Sequence, residues 1–275
     1  ESLEAVQSRL IPPLFVVDGY LVPSDVIQRR YTHSFQIVPE RSVTKEPRKR
    51  RQDVLRPGLS IAHVSGTAGT IAAIVYDRES GAPLILSNWH VLQTVQGRIG
   101  DAVVQPGPFD DNDTESNIAG YLLRSHLGPA GDCAVATIEG RLVDPNVLGV
   151  ATALKRLGKA ELDDRVIKSG RTTGVTRGRV VRVEVQTKMS YGDREDVVGG
   201  FDSGYDTQRK PSGGELSKPG DSGAAWVALD PQTGQPTDVL LGLHFAGETE
   251  DEAPEYALAC NAHSVFEKLN ITFIP

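Results

Sequence analysis

Residues 219–226 read Pro-Gly-Asp-Ser-Gly-Ala-Ala-Trp. Two glycines, Gly220 and Gly223, bracket Ser222 in a tight bend, and apolar residues follow at once. Such a bend turns main-chain N–H groups toward the space above the Ser222 hydroxyl. Acyl transfer needs donors there, because negative charge develops on the carbonyl oxygen in the transition state. Gly-Asp-Ser-Gly alone also describes a plain β-turn, since these residue types favour turns. The surrounding chain has to separate the two readings.

A serine hydroxyl is a weak nucleophile until a base removes its proton, and imidazole has the matching pKa. Six histidines are present: His33, His63, His90, His126, His244 and His263. Of these, His90 stands at the end of a strongly apolar strand-like run, LILSNWHVL (84–92). Its partner has to be a buried carboxylate that fixes the tautomer and stabilises the imidazolium. Asp132 fits that role, because GDCAVATI (131–138) places one acid at the head of an otherwise apolar strand.

From Gly58 onward the pattern is all-β. The runs TIAAIVYD, PLILSNW, DAVVQP, CAVATI, RVIKSG, RVVRVEV, AAWVAL and DVLLGLHF recur between Gly, Pro, Asn and Asp punctuation. That spacing belongs to sandwiches and barrels, and β-branched residues dominate the runs. One convincing helix closes the pattern: in HSVFEKLNI (263–271), Val265, Phe266 and Leu269 share one face.

These strings carry a resemblance to the chymotrypsin-like serine peptidases, above all to the bacterial branch of streptogrisins and α-lytic-type enzymes. LSNWHVL resembles the segment around the family histidine, GDCAVATI that around its aspartate and PGDSGAAW that around its serine, in the same chain order. KSGRTTGVTRGRV (168–180) resembles the opening of the second barrel, and LLGLHFAG (240–247) the strand lining the primary specificity pocket. The match runs from about Gly58 to Phe266. It implies an all-β fold of two six-stranded antiparallel β-barrels with the active site between them. It implies a serine endopeptidase that hydrolyses protein or peptide substrates through His90, Asp132 and Ser222, with an oxyanion hole from the N–H groups of Gly220 and Ser222. Leu216, Ser217, His244, Phe245, Ala246 and Gly247 would bind substrate; a protonated or hydrogen-bonding His244 would favour an acidic side chain, whereas a His244 paired with a neighbour of its strand, with Leu216 beside it, would make the pocket apolar. Leu216 replaces the aspartate with which trypsin-type enzymes bind basic residues. Phe245 stands where a serine commonly supports the triad aspartate, so Asp132 needs another donor. No Ile-Val-Gly-Gly-type start is present, so Asp221 is not expected to receive a freshly cut N-terminus.

Two rival classes use the same residues. A catalytically inactive peptidase-like binding module would keep the fold, yet decay of this kind usually removes a triad member and here all three types stand. An esterase needs the same triad, but the strand-turn-helix elbow of α/β-hydrolases is absent.

The resemblance does not reach residues 1–57, which read as an N-terminal extension, ahead of barrels over 58–150 and 151–275 with the C-terminal helix. Leu3, Val6 and Leu10 have helical spacing up to Pro12 and Pro13. LFVVDGYLVPSDVI (14–27) follows as strand, Asp18-Gly19 turn and strand. Lys45, Arg48, Lys49, Arg50 and Arg51 then crowd around Pro47, the composition of a solvated linker or a processing site. The start at Glu1 rather than Met is compatible with a removed segment or with a module of a larger protein.

With a net charge of −7 the chain lacks the basic face that nucleic-acid binding requires. No apolar run approaches the ~20 residues of a membrane span. Zinc motifs are absent, and the acidic loop Asp110-Asp111-Asn112-Asp113 lacks the glycine and terminal glutamate of a calcium loop, so no metal or cofactor is expected and the loop reads as solvated. Two cysteines, Cys133 and Cys260, with no visible signal peptide, favour a cytoplasmic, reducing location without excluding secretion. Cys133 reads as a buried small hydrophobe.

Overall fold

The computed structural model describes residues 12, 14–24, 26, 31–32, 46–205, 215–248 and 256–274. They fall into two compact units, one up to Tyr31 and one from Thr32 onward. The helical spacing expected at Leu3–Leu10, Ile27 and Lys45 lie outside the described residues.

In the first unit, β1 (Leu14–Val17) and β2 (Tyr20–Pro23) pair antiparallel from Leu14↔Pro23 to Val17↔Tyr20. Asp18 and Gly19 both have positive φ, 51° and 84°, as a two-residue hairpin turn requires. The Ser24 hydroxyl donates to the Pro12 carbonyl at 2.7 Å. The apolar side chains of both strands are exposed, Val16 at 73% and Tyr20 at 75%.

The short β3 (Tyr31–Thr32) spans the boundary, and the second unit continues with β4 (Val54–Leu55). Next come β5 (Ser60–His63), β6 (Gly69–Thr70), β7 (Ala73–Asp77), β8 (Pro83–Ser87), β9 (Ala102–Val104), β10 (Ile118–Gly128) and β11 (Gly131–Ala136). Their sheet order is β7-β8-β11-β10-β9-β5-β6. The two ends of that order, β6 and β7, are halves of one bent segment, so the sheet closes into a ring of six. Across the bend Ile71 N donates to Leu59 O at 2.9 Å and Ala72 N to Leu86 O at 2.8 Å. Inside lie Leu55, Ile61, Ile71, Ile85, Leu92, Val103, Leu122 and Ala134.

The second barrel follows β12 (Leu142–Val143), which pairs with β4 in parallel. Its strands are β13 (Arg156–Leu157), β14 (Arg165–Gly170), β15 (Gly174–Tyr191), β16 (Arg194–Tyr205), β17 (Ala225–Leu229), β18 (Pro236–Glu248) and β19 (Ala257–Asn261). The order β18-β17-β14-β15-β16-β19 returns to β18 through a β18–β19 pairing, a second ring of six, with β13 added outside in parallel. Val166, Val180, Phe201, Leu216, Trp226 and Leu241 fill it. The expected C-terminal helix forms over Ala262–Lys268 and buries Val265 and Phe266, as well as Leu269 just beyond it. The chain then ends in β20 (Ile271–Thr272), which pairs with β7 of the first barrel.

The basic run departs from its expected solvated state at Arg48, while Arg50 and Arg51 are exposed. Arg48, in a 3-10 turn over Pro47–Lys49, is half-buried. Its guanidinium donates to Gly58 O at 3.1 Å, Ser169 Oγ at 2.8 Å and Leu148 O at 3.2 Å. Leu55 is wholly buried in the first core. The Arg48 guanidinium, with its fork of donors, meets three acceptors at once here, and the Leu148 carbonyl also accepts from the Ser169 hydroxyl.

Candidate active site

β8 stops at Ser87, and His90 stands on a one-turn helix, α1 (Trp89–Leu92), rather than at a strand end. Leu92 N donates to Asn88 O at 3.0 Å and Gln93 N to Trp89 O at 2.8 Å, which closes that turn. Asn88 Nδ2 donates to the Asp132 carbonyl at 2.7 Å and ties α1 to the head of β11. His90 Nδ1 lies 2.6 Å from Asp132 Oδ2, and the His90 N–H donates to Oδ1 at 3.2 Å. A carboxylate only accepts, so Nδ1 carries the ring proton and Nε2 of the neutral imidazole holds a lone pair. Asp132 is 0% exposed.

The other donor that Asp132 needs is Tyr191, at the end of β15, whose hydroxyl donates to Asp132 Oδ2 at 3.0 Å. Phe245, where a serine was expected to be missed, is itself buried. Cys260 also meets this aspartate: Asp132 N–H donates to Cys260 Sγ at 3.2 Å. Both cysteines are free and buried, and burial pushes both thiols well up, so neither is a nucleophile.

Ser222 lies in the bend after Gly220, and Gly220 and Gly223 have φ of 91° and 93°. A Cβ on Gly223 would collide with Ser87 Oγ and the Thr70 carbonyl, so only glycine lets the bend approach the first barrel this closely. Thr70 N donates to Ser222 O at 2.7 Å. The Thr70 hydroxyl donates to Gly220 O at 2.8 Å. Gly69 separates the Ser222 carbonyl from Val91, the neighbour of His90. Ser222 Oγ itself sits 3.4 Å from Phe245 O. Among the described residues, the N–H groups of Gly220 and Ser222 have no protein acceptor.

Asp221 is turned inward beneath that bend. Its carboxylate accepts from Lys168 Nζ at 2.9 Å, Thr173 Oγ1 at 2.5 Å, Thr172 N at 2.9 Å, Thr173 N at 3.0 Å and Lys218 N at 3.1 Å. Burial would raise its pKa, but the Lys168 ammonium and these donors hold it down at about 2. The cation paired with this carboxylate beneath the bend is thus a lysine of β14. Gly170 makes room for this: a Cβ there would strike the Asp221 carboxyl.

The acidic loop departs from its expected solvated state at one residue. Asp110 is 2% exposed and forms a bidentate pair with the buried Arg171, through Nε at 2.9 Å and through Nη2. Ser60 Oγ donates to the same carboxylate at 2.6 Å, and Phe109 stacks under the guanidinium at 5.2 Å. Arg171 Nη1 donates to Thr172 Oγ1 at 2.9 Å, and Thr172 Oγ1 to Pro219 O at 2.5 Å, at the entry to the bend.

The expected pocket residues are mostly buried. Leu216 packs into the second core beside Trp226. The Ser217 hydroxyl occupies the space a Cβ on Gly247 would take. His244 is buried, stacked edge-on to Trp226 at 6.4 Å, and its Nδ1 has no partner among the described residues. Burial, with the Lys168 ammonium adding to it, pulls this imidazole down to about 3. His244 is therefore neutral at ordinary pH and does not supply the cation on which a charge-based acidic preference would rest.

Sequence reasoning missed Tyr191, Lys168, Arg171 and Arg48. A cation directly after the apolar Val166-Ile167 of RVIKSG was a usable signal for Lys168, since a buried charge demands a partner. Tyr191 had none, because β15 alternates like any exposed hairpin strand up to its end.

No protein-family model matches the sequence, and no curated protein matches it. Solved structures do match. Protease A of Thermobifida fusca aligns with a TM-score of 0.57 at 16% identity, over 80% of this chain and 98% of that one. A serine protease described as glutamic-acid-specific, using a histidine triad in substrate binding, aligns at 0.56 and 19%, over 80% and 100%. A chymotrypsin of Cellulomonas bogoriensis aligns at 0.55 and 17%, over 80% and 99%. Likeness at such identities concerns the path of the chain, and on that measure this protein has the chymotrypsin-like double-β-barrel fold.

Proposed function

We propose that the protein is a serine endopeptidase in which Ser222 is the nucleophile, His90 the general base and acid, and Asp132 the group that orients His90. The observation that carries this reading is the His90–Asp132 contact of 2.6 Å, which leaves Nε2 as the basic ring atom on a helix packed beside the Ser222 bend. In the reaction Ser222 Oγ attacks the peptide carbonyl carbon while its proton passes to His90 Nε2. The oxyanion is received by the N–H groups of Gly220 and Ser222. The proton is then given to the leaving amine, an acyl-enzyme forms, and water releases the acid by the same steps in reverse roles. A bend held by Lys168, Thr172 and Thr173 through Asp221 supports those donors being in place before substrate arrives.

Substrate binding by Leu216, Ser217, His244, Phe245, Ala246 and Gly247 belongs to the same proposal and rests on the resemblance of LLGLHFAG and the serine segment. With Leu216 in place of a carboxylate, basic side chains are disfavoured in the primary pocket.

A fluorophosphonate probe tests the reading, since it attaches only to an activated hydroxyl. Labelling of the wild type at Ser222, none in Ser222→Ala, and loss of peptide hydrolysis in that variant are expected. Hydrolysis above a tenth of the wild-type rate in Ser222→Ala overturns the mechanism, and an unlabelled wild type leaves the fold as a binding module.

A further inference from the structure

We propose that Tyr191 is a positioning residue for the His90–Asp132 pair, its hydroxyl supplying the hydrogen bond to the Asp132 carboxylate that Phe245 cannot give. The inference rests on the triad reading above and adds to it a residue outside the triad.

Tyr191 is 1% exposed and sits where β15 turns into β16, a hairpin anchored in the second barrel by β14 on one side and β19 on the other. The tip of that hairpin lies on the first barrel. The Tyr191 ring meets Trp89 edge-on, with centroids 5.7 Å apart, and lies 6.2 Å from the His90 ring. A Cβ on Gly192 would come within 3.2 Å of Val95, and the Arg194 guanidinium stands 5.7 Å over Trp89. These contacts leave the Tyr191 ring no freedom to turn away. Its hydroxyl therefore reaches Oδ2, the same oxygen that His90 Nδ1 meets, at 3.0 Å.

Burial, with the Asp132 charge adding to it, drives the Tyr191 phenol far above its ordinary value, so it remains a donor throughout the working pH range. The charged and titratable groups around the pair are the Tyr191 phenol, the Cys260 and Cys133 thiols, the His244 imidazole and, more remotely, Asp196. The phenol hydroxyl donates to the Asp132 carboxylate, whereas the Cys260 thiol meets the Asp132 main chain. A donor on Oδ2 spreads the carboxylate charge and fixes its plane. Without it, Asp132 would hold an imidazolium more strongly and His90 less rigidly. The hairpin of the second barrel thereby sets the orientation of an acid in the first.

Tyr191→Phe removes one oxygen and keeps the ring contacts, whereas Tyr191→Leu removes both. The His90 ring resonances, followed by NMR against pH in the full chain, need no catalysis. In Tyr191→Phe they should titrate higher than in the wild type by roughly 0.5–1 pH unit, because a hydrogen bond to the charged partner has been lost. The acid limb of kcat/KM should move by the same amount, with kcat lower by about tenfold and KM near the wild-type value. Titration at the wild-type pH overturns the proposal, even where the rate falls, because losing a hydrogen bond to the carboxylate has to change the titration of the imidazole paired with it. Should Ser222→Ala still hydrolyse peptides, the catalytic reading fails while the NMR titration still decides the role of Tyr191. Should Tyr191→Phe not fold, the wild-type Tyr191 hydroxyl proton decides it: slow exchange with a nuclear Overhauser contact to His90 supports the bond, and a freely exchanging proton refutes it.

Discussion

Replacing Lys168 by methionine takes the cation from beneath the Ser222 bend and leaves its volume nearly filled. Lys168 Nζ and Asp221 Oδ2 are 2.9 Å apart, and both side chains are 0% exposed. Removing one member of a buried pair costs about 3–5 kcal/mol, since the remaining charge stays buried without its partner. The threonine and main-chain donors around Asp221 place this case toward the lower figure. At about 2–4 °C per kcal/mol for a chain of this size, the melting temperature should fall by about 6–15 °C at pH 7. The pH dependence carries a sign. Asp221 is held at about 2 against 3.8, so its folded value is depressed. Its contribution, about 2 kcal/mol, is full above the unfolded value near pH ~4 and is lost as pH falls through about 2. In Lys168→Met the main cause of that depression is gone, and Asp221 is protonated at higher pH. The gap in melting temperature between wild type and variant should therefore shrink from pH 5 to pH 2. Thermal melts followed by tryptophan fluorescence at pH 7, 5, 3 and 2 measure it. A variant melting within 2 °C of the wild type at pH 7, or a gap that stays constant on acidification, refutes the reasoning. Turnover should fall by about 10²-fold through the displaced oxyanion donors, and Lys168→Met with Asp221→Asn should recover stability before it recovers turnover.

Arg171→Met leaves the buried Asp110 with only the Ser60 hydroxyl and its remaining contacts, and should cost about 3–5 kcal/mol in a denaturant titration. Asp110→Asn, which leaves the buried Arg171 guanidinium without its counter-charge, should cost a similar amount, and a loss below about 1 kcal/mol in either variant would count against a buried charge pair. Arg48→Ala takes the guanidinium donors from Gly58 O, Ser169 Oγ and Leu148 O, the last of which keeps the Ser169 hydroxyl, and should destabilise by about 1–3 kcal/mol. A change below 0.5 kcal/mol, the range of an ordinary surface substitution, would return the run around Pro47 to the solvated linker first expected.

Local patterns in the sequence were enough for the strands, because a barrel strand has to alternate or run apolar whatever its partners are. RVIKSG, AAWVAL and DVLLGLHF each became strands of the second barrel, and HSVFEKLNI became its closing helix. The Asp18-Gly19 turn was equally legible, since positive φ at two successive residues restricts the choice of residue type. His90 and Asp132 stood out because each is a polar residue beside an apolar run, and Ser222 because two glycines bracket it in a bend. The partners of those residues were not legible in this way. Tyr191 lies 59 residues from Asp132, Lys168 lies 53 from Asp221, and Arg171 lies 61 from Asp110. Each pair is joined only when strands from separate parts of the chain are brought side by side, and a local pattern carries no record of what faces it from another strand. For the same reason a cluster of arginines near Pro47 looks solvated in sequence. Only the packed main-chain carbonyls of Gly58 and Leu148 determine that Arg48 turns inward while Arg51 remains at the surface.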